Sequence, residues 1–331
     1  MKMNLSYMLF LSSMILGTMI TISSKSWLMM WIGLEMNLLS IIPLMNKSKT
    51  PFESEASMKY FMVQAMASML LLMSLIASGL VNLDIKMLNL IYLMSMFIKM
   101  GAAPMHMWFP AVMQGLSWMN CVILMTWQKI APMVMMSYQM MSNDLMYLMI
   151  MMSVVVGSIG GLNQTSLRKI MAYSSISHVG WMLLAMMMSK EYWIMYFLIY
   201  SILSGTVVIL MNSNSLFYLP QIFMLKSNSK MKFSLFTSML SLGGLPPFLG
   251  FLPKWLIIQN SVLFNNKVLI IIMIMTTMIT LYFYLRVTYS AYTMSNQSNN
   301  WVNSNDKTSI AFMSMSVSLV GIPIITMLSM Y

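Results

Sequence analysis

Apolar runs of about 20 residues recur along this sequence, most of them closed by short clusters of Ser, Asn, Lys or Gly. Runs of that length suit a hydrocarbon core of about 30 Å, and they lack the strict alternation of a half-buried strand. They fall near residues 5–22, 26–44, 57–80, 85–118, 120–140, 145–162, 167–188, 191–211, 233–263, 267–291 and 309–330. The pattern predicts an all-α polytopic membrane protein with about eleven transmembrane helices.

Two runs, 85–118 and 233–263, are too long for one plain helix, and each contains a Gly/Pro cluster. GAAP brings Gly101 and Pro104 to the first, and GGLPPFLGFLP brings Pro246 and Pro247 to the second. Proline removes a backbone donor and clashes one turn back, so each run predicts a discontinuous helix. The clusters occupy corresponding places in the two halves of the chain. Interrupted spans so placed point to a repeat-built transporter with its pathway at the breaks. The chain therefore parses as one membrane domain: a first repeat over 1–140, a second over 145–291, and an additional C-terminal helix at 309–330. The polar segments 46–57, 212–232 and 295–308 are loops, too short to be domains.

Composition agrees: 59% of the residues are hydrophobic and only 8% charged, against about 25% charged in ordinary soluble domains. The single cysteine, Cys121, excludes an intramolecular disulfide framework and a four-cysteine cluster site. Two histidines are too few for a pair of bis-histidine haems, and no glycine-rich phosphate loop follows a strand pattern. Redox or metal cofactors are therefore expected in other chains. The first run has no small-residue cleavage site and is expected to be a retained helix. The 50 methionines point to codon usage rather than to a thioether metal array.

The net charge of +11 is a topology signal rather than a nucleic-acid footprint. With sides alternating from the N-terminus, Lys2, Lys47, Lys49, Lys59, Arg168, Lys169, Lys226, Lys230, Lys232, Arg286 and Lys307 share one face of the membrane. Only Lys25, Lys86, Lys190 and Lys267 fall on the other. That bias places the N-terminus on the cytoplasm-equivalent side and the C-terminus opposite. Trp27, Trp31 and Trp193, near span ends, are expected to anchor the interface.

Four ionisable residues remain inside the spans: Glu35, Lys99, Lys129 and Lys254. A charge at mid-bilayer costs about 2.5–3.5 kcal/mol on insertion scales, so each needs a partner, water or a task. Burial disfavours the charged form and an opposite neighbour favours it, so a Glu35–Lys99 pair would be balanced between the two and could switch protonation state. Static salt bridges, or a snorkelling Lys254, would be the structural alternative. His106 just beyond the first break and His178 in the second repeat could relay protons. Equally, His106 could bond a carbonyl freed by the break, and His178 could be a packed, hydrogen-bonded histidine.

The stretches KMGAAPMHMWFP, TWQKIAP, QTSLRKIMAYSSISHVGW and GGLPPFLGFLPKW carry a resemblance to the antiporter-like membrane subunits of respiratory complex I, spread from Glu35 to Trp255. The methionine-rich composition resembles an arthropod, mitochondrially encoded member. The resemblance implies two inverted repeats, each with one broken helix, and a chain of charged residues: Glu35, Lys99 and Lys129 in the first half and Lys254 in the second. It also implies that helices found at the N-terminus of bacterial relatives are lacking here.

By the same resemblance, NADH, FMN, iron–sulfur clusters and ubiquinone belong to other subunits of the complex. The expected partners are other membrane-arm subunits, including neighbouring antiporter-like ones, accessory subunits, and lipids such as cardiolipin, with no nucleic acid. The implied location is the mitochondrial inner membrane, with the N-terminus towards the matrix and the C-terminus in the intermembrane space.

Two other classes fit part of this pattern. A cation/proton antiporter would share fold and charges, but Glu35 is the one carboxylate within the spans, which disfavours a dedicated sodium site. A structural spacer would need none of Glu35, Lys99 and Lys129.

Overall fold

In water, the outward faces of the long helices would be untenable. Leu9, Leu16 and Met19 on the first, and Met62, Met66, Met69 and Met73 on the third, form continuous exposed apolar stripes. Against lipid or partner helices they carry no such penalty. The chain is known from a computed structural model that describes residues 5–47, 50–80, 85–139, 144–223, 229–263, 267–292 and 308–321. Among these, six helices are long and apolar enough to cross a membrane.

The chain divides into two compact units, Met1–Ser142 and Asn143–Tyr331. The first contains α1 (Leu5–Ser23), α2 (Trp27–Met45), α3 (Pro51–Leu80), α4 (Ile85–Met100), α5 (Trp108–Gly115), α6 (Trp118–Met125) and α7 (Trp127–Tyr138). The second contains α8 (Asp144–Gly160), α9 (Leu167–Met188), α10 (Lys190–Ser213), α11 (Leu219–Phe223), α12 (Ser229–Gly243), α13 (Phe251–Leu263), α14 (Lys267–Tyr292) and α15 (Thr308–Leu319). No strand occurs among the described residues, and an isolated bridge joins Ser166 to Tyr218.

Internally the units follow one plan. In each, the first two helices pair closely, the second packs on the third, and the third packs on the broken fourth. The close pairings rest on glycines. A Cβ on Gly33 would sit 2.8 Å from the Gly17 carbonyl oxygen, and one on Gly157 would sit 2.6 Å from the Ser177 amide nitrogen. Small residues let helix backbones approach where no hydrophobic effect drives association. Hydroxyls along the spans turn back on their own helices, as Ser40 does to Asn37 and Ser153 to Ile150, so polar atoms stay bonded away from water.

Both Gly/Pro clusters break their helices, and both breaks begin in the same way. α4 ends at Gly101 (φ +69°), with the Gly101 amide on Ile98 and the Ala102 amide on Phe97. α12 ends at Gly244 (φ +81°), with the Gly244 amide on Ser241 and the Leu245 amide on Leu240. Each is a Schellman cap, in which a left-handed residue folds the chain back over its last carbonyls, and glycine takes that conformation without a Cβ penalty. Pro104 follows the first cap in a cis peptide, and Pro246 and Pro247 follow the second. The second break is tied to the end of α15, where the Leu249 amide donates to the Ser318 carbonyl at 3.2 Å.

One break differs from the sequence expectation. The run 120–140 is not one continuous helix: α6 and α7 meet at Thr126, whose φ of −112° and ψ of −72° turn the axis just ahead of Lys129. Pro132 lies inside α7 and cannot donate to the Gln128 carbonyl, which weakens this turn locally. The expected loop 212–232 also holds the short helix α11. The loop at 295–308 falls almost wholly outside the described residues, as do residues 322–330 of the expected C-terminal helix, together with Lys2, Lys49, Lys226 and Lys307.

Candidate functional site: buried charges at two helix breaks

In the first unit the charged residues gather around the α4–α5 break. Lys99 occupies the last turn of α4, where carbonyls freed at the helix end carry partial negative charge and favour a cation. Its own carbonyl accepts a hydrogen bond from Gln64 Nε2 at 3.4 Å, and Trp108 Nε1 donates to the Ile98 carbonyl at 3.1 Å. The break's open carbonyls are thus met by side chains from α3 and α5.

Glu35, on α2, lies within electrostatic reach of Lys99 and of Tyr60. No ion pair within 4 Å joins Glu35 to Lys99 among the described residues, and the buried Oε1 of Glu35 accepts no hydrogen bond there. The expected pair is therefore one of proximity, not of contact.

Lys129 is only 2% exposed, and its Nζ lies 5.4 Å from the centroid of the Phe109 ring. Phe109 packs against Gly101, where a Cβ would meet its ring at 3.2 Å. Lys99 and Lys129 thus flank one break, the first on the helix that enters it and the second on an aromatic ring that leaves it. Beside Lys99 lies a cavity with about 20 Å³ of space for water centres, lined by Asn37, Tyr60, Gln64, Lys99 and Gln128 among polar residues and Leu34, Leu38 and Pro132 among apolar ones. His106 is buried within the break with Nδ1 3.0 Å from the Pro104 carbonyl oxygen, and its own carbonyl accepts from the Phe109 amide.

The second unit builds its site around the α12–α13 break. The Lys254 ammonium reaches back across the break and donates to the Gly243 carbonyl at 2.8 Å. Its Nζ also lies 5.9 Å from the Trp181 ring centroid. Lys254 is buried, so it does not snorkel. One turn before Trp181 on α9, His178 places Nδ1 2.8 Å from the Tyr196 hydroxyl, and its ring tilts against Tyr200 at 4.9 Å. Tyr200 and Tyr284 face Ser175 and Ser174, so a hydroxyl-rich cluster surrounds His178.

Sequence reasoning missed the tyrosines and glutamines that connect these charges. The Tyr60 hydroxyl donates to Gln128 Oε1 at 3.2 Å, and Gln128 Nε2 donates to Asn37 Oδ1 at 2.9 Å. Gln128 directly precedes Lys129, and polar residues inside apolar runs were the available signal. Two of the three tryptophans expected to anchor the interface contact neighbouring side chains or backbone of their own unit. Trp31 donates to the Ser68 carbonyl of α3, and Trp193 is 6% exposed and stacks on Phe197. No cluster of three or more His, Cys, Asp or Glu suited to a metal occurs among the described residues.

Residues 24–280 match the family described as NADH:quinone oxidoreductase/Mrp antiporter, transmembrane. The chain is 50% identical to the NADH-ubiquinone oxidoreductase chain 2 of Anopheles gambiae over 331 residues, covering 97% of both chains. It is 46% identical to that of Locusta migratoria, covering 97% of this chain and 93% of the relative. Among solved structures, a chain of respiratory complex I from Thermus thermophilus with bound aureothin shares the fold at a TM-score of 0.83 and 22% identity, over 97% of this chain and 78% of that one. A chain of the Mrp complex from Dietzia shares it at a TM-score of 0.74 and 17% identity, over 84% of this chain and 59% of that one.

Proposed function

Because this chain belongs to the NADH:quinone oxidoreductase/Mrp antiporter transmembrane family, and within it to the NADH-ubiquinone oxidoreductase chain 2 proteins, we propose that it is a proton-translocating membrane-arm subunit of respiratory NADH:ubiquinone oxidoreductase. It contributes no redox chemistry of its own. NADH, FMN, iron–sulfur clusters and ubiquinone act in other subunits, and this chain converts their reaction into proton movement through Glu35, Lys99, Lys129 and Lys254. Its partners are other membrane-arm subunits, accessory subunits and lipids such as cardiolipin. It sits in the mitochondrial inner membrane as a multi-pass protein, N-terminus towards the matrix.

The observation that carries this reading is the placement of three buried span lysines at the helix breaks: Lys99 in the last turn of α4, Lys254 on the Gly243 carbonyl, and Lys129 with its Nζ 5.4 Å from the Phe109 ring centroid. A lysine locked in a contact ion pair holds its proton tightly, whereas one balanced between burial and a helix dipole can change protonation for a modest change in nearby charge. Electron transfer elsewhere in the complex would supply that change at Glu35 and Lys99. His106 and His178 are proposed relays beside the two breaks. The cation antiporter reading shares the family description and a fold likeness at 17% identity, and the 50% identity to the insect chain 2 protein favours the oxidoreductase subunit.

The test is proton pumping per NADH oxidised in membranes carrying Lys129→Met, with assembly of the complex measured in parallel. Assembly with collapsed pumping supports the reading. Assembly with unchanged pumping makes the buried charges structural.

A further inference from the structure

The cavity in the first unit is small, enclosed by α2, α3, α4 and α7, and lined in part by polar residues. Its space of about 20 Å³ for water centres exceeds the roughly 10–15 Å³ that one water needs, and a buried water requires two to four polar partners. Tyr60, Gln64, Lys99, Gln128 and Asn37 offer more than that. An apolar void of this size would stay dry, but this one would not.

The hydrogen bonds around it are ordered in one direction. Asn37 fixes the Gln128 amide by accepting from Nε2, and Gln128 Oε1 accepts from the Tyr60 hydroxyl. Tyr60 is in turn within electrostatic reach of Glu35, whose buried Oε1 accepts no hydrogen bond. The Tyr60 ring is held by the Trp108 ring, 5.8 Å away, so its hydroxyl can change partner while the ring stays in place.

We propose that a water bound in this cavity, together with the Tyr60 hydroxyl, is the proton bridge between Lys99 and Glu35, and that Gln128, fixed by Asn37, holds Tyr60 in the resting orientation. In the resting state Tyr60 donates to Gln128 and the bridge is open. When Tyr60 turns its hydrogen to Glu35, the Lys99 ammonium gives a proton to the water, the water gives one to the Tyr60 oxygen, and Tyr60 gives its own to the Glu35 carboxylate. Lysine and glutamate end neutral, while water and tyrosine are unchanged. Tyr60 is a relay residue and Gln128 a positioning residue.

The second unit supports this independently. There too the third span lends a buried tyrosine to the titratable group of the second, with Tyr196 2.8 Å from His178. The inference rests on the proton-pathway reading above, and the experiment separates the two.

In the assembled complex, Tyr60→Phe keeps the ring and removes the hydroxyl, and Lys99→Met serves as the control for the pathway itself. The readouts are reduction of an artificial electron acceptor, coupled proton pumping, and the H2O/D2O rate ratio of coupled turnover. For Tyr60→Phe the expected result is unchanged acceptor reduction, pumping reduced by about fivefold or more, and a raised isotope ratio. If Lys99→Met abolishes pumping while Tyr60→Phe keeps both pumping and isotope ratio, the bridge is overturned and the pathway reading stands. If Lys99→Met pumps normally, the pathway reading itself fails. Should Tyr60→Phe not assemble, a high-resolution map of the unaltered complex decides: ordered density bonded to Tyr60 or Gln128 in the cavity supports the bridge, and an empty cavity overturns it.

Discussion

The Nζ of Lys254 lies 2.8 Å from the carbonyl oxygen of Gly243, so the buried cation of the second unit rests on the negative end of α12. A cation held by a helix end can lose its charge without stranding a buried anion, as removal of one partner of an ion pair would. Lys254→Met is therefore expected to leave the complex assembled and to lower coupled pumping at least about tenfold, or about 1.4 kcal/mol. Lys254→Glu, which sets an anion against the same carbonyl, should prevent assembly. Native gel electrophoresis beside a pumping assay checks both.

The left-handed glycines at the two breaks should resist replacement through their backbone conformation. Alanine at Gly101 or Gly244 would be forced to positive φ at a cost of about 1–2 kcal/mol, and at Gly244 its Cβ would also press on Lys254 Cδ at 3.0 Å. Both variants should lower the thermal midpoint of the complex, and Gly244→Ala should lower pumping as well. Gly79→Ala, with nothing within 4 Å of the added carbon, is the control expected to change neither.

Glu35→Gln preserves shape and removes the one charge that both Lys99 and Tyr60 sense. Coupled turnover should fall at least about tenfold, with acceptor reduction unchanged. Equal turnover in Glu35→Gln and the parent complex would show that the carboxylate is only packed.

Tyr196→Phe removes the hydroxyl bonded to His178 and little else. A lost hydrogen bond of this kind is worth about 1 kcal/mol, so pumping should slow by roughly fivefold if His178 is a relay. If His178 is a packed core residue, pumping should be unaffected and only heat stability should drop.

What could be read from the sequence followed the range of the interaction. The breaks at GAAP and GGLPPFLGFLP were legible because a Schellman cap spans only a few consecutive residues and glycine and proline announce it. Glu35, Lys99, Lys129 and Lys254 were legible because a charge in an apolar run is conspicuous by itself. The Tyr60–Gln128 and Gln128–Asn37 bonds join residues 68 and 91 positions apart, and no local pattern encodes them. The turn at Thr126 was missed for a different reason. Threonine is tolerated in a transmembrane helix, and the informative residue, Pro132, lies more than a turn downstream.

The bond between the Leu249 amide and the Ser318 carbonyl gives α15 a mechanical role. Three residues past Ser318 the chain reaches Gly321, where an added Cβ would lie 2.2 Å from the Leu249 nitrogen, so the clasp has no slack. α15 is thus a spring clip across the loop that orients Lys254. A chain cut short before residue 316 would keep its buried charges, yet the loop would lie open with an unbonded amide in a place that water reaches poorly.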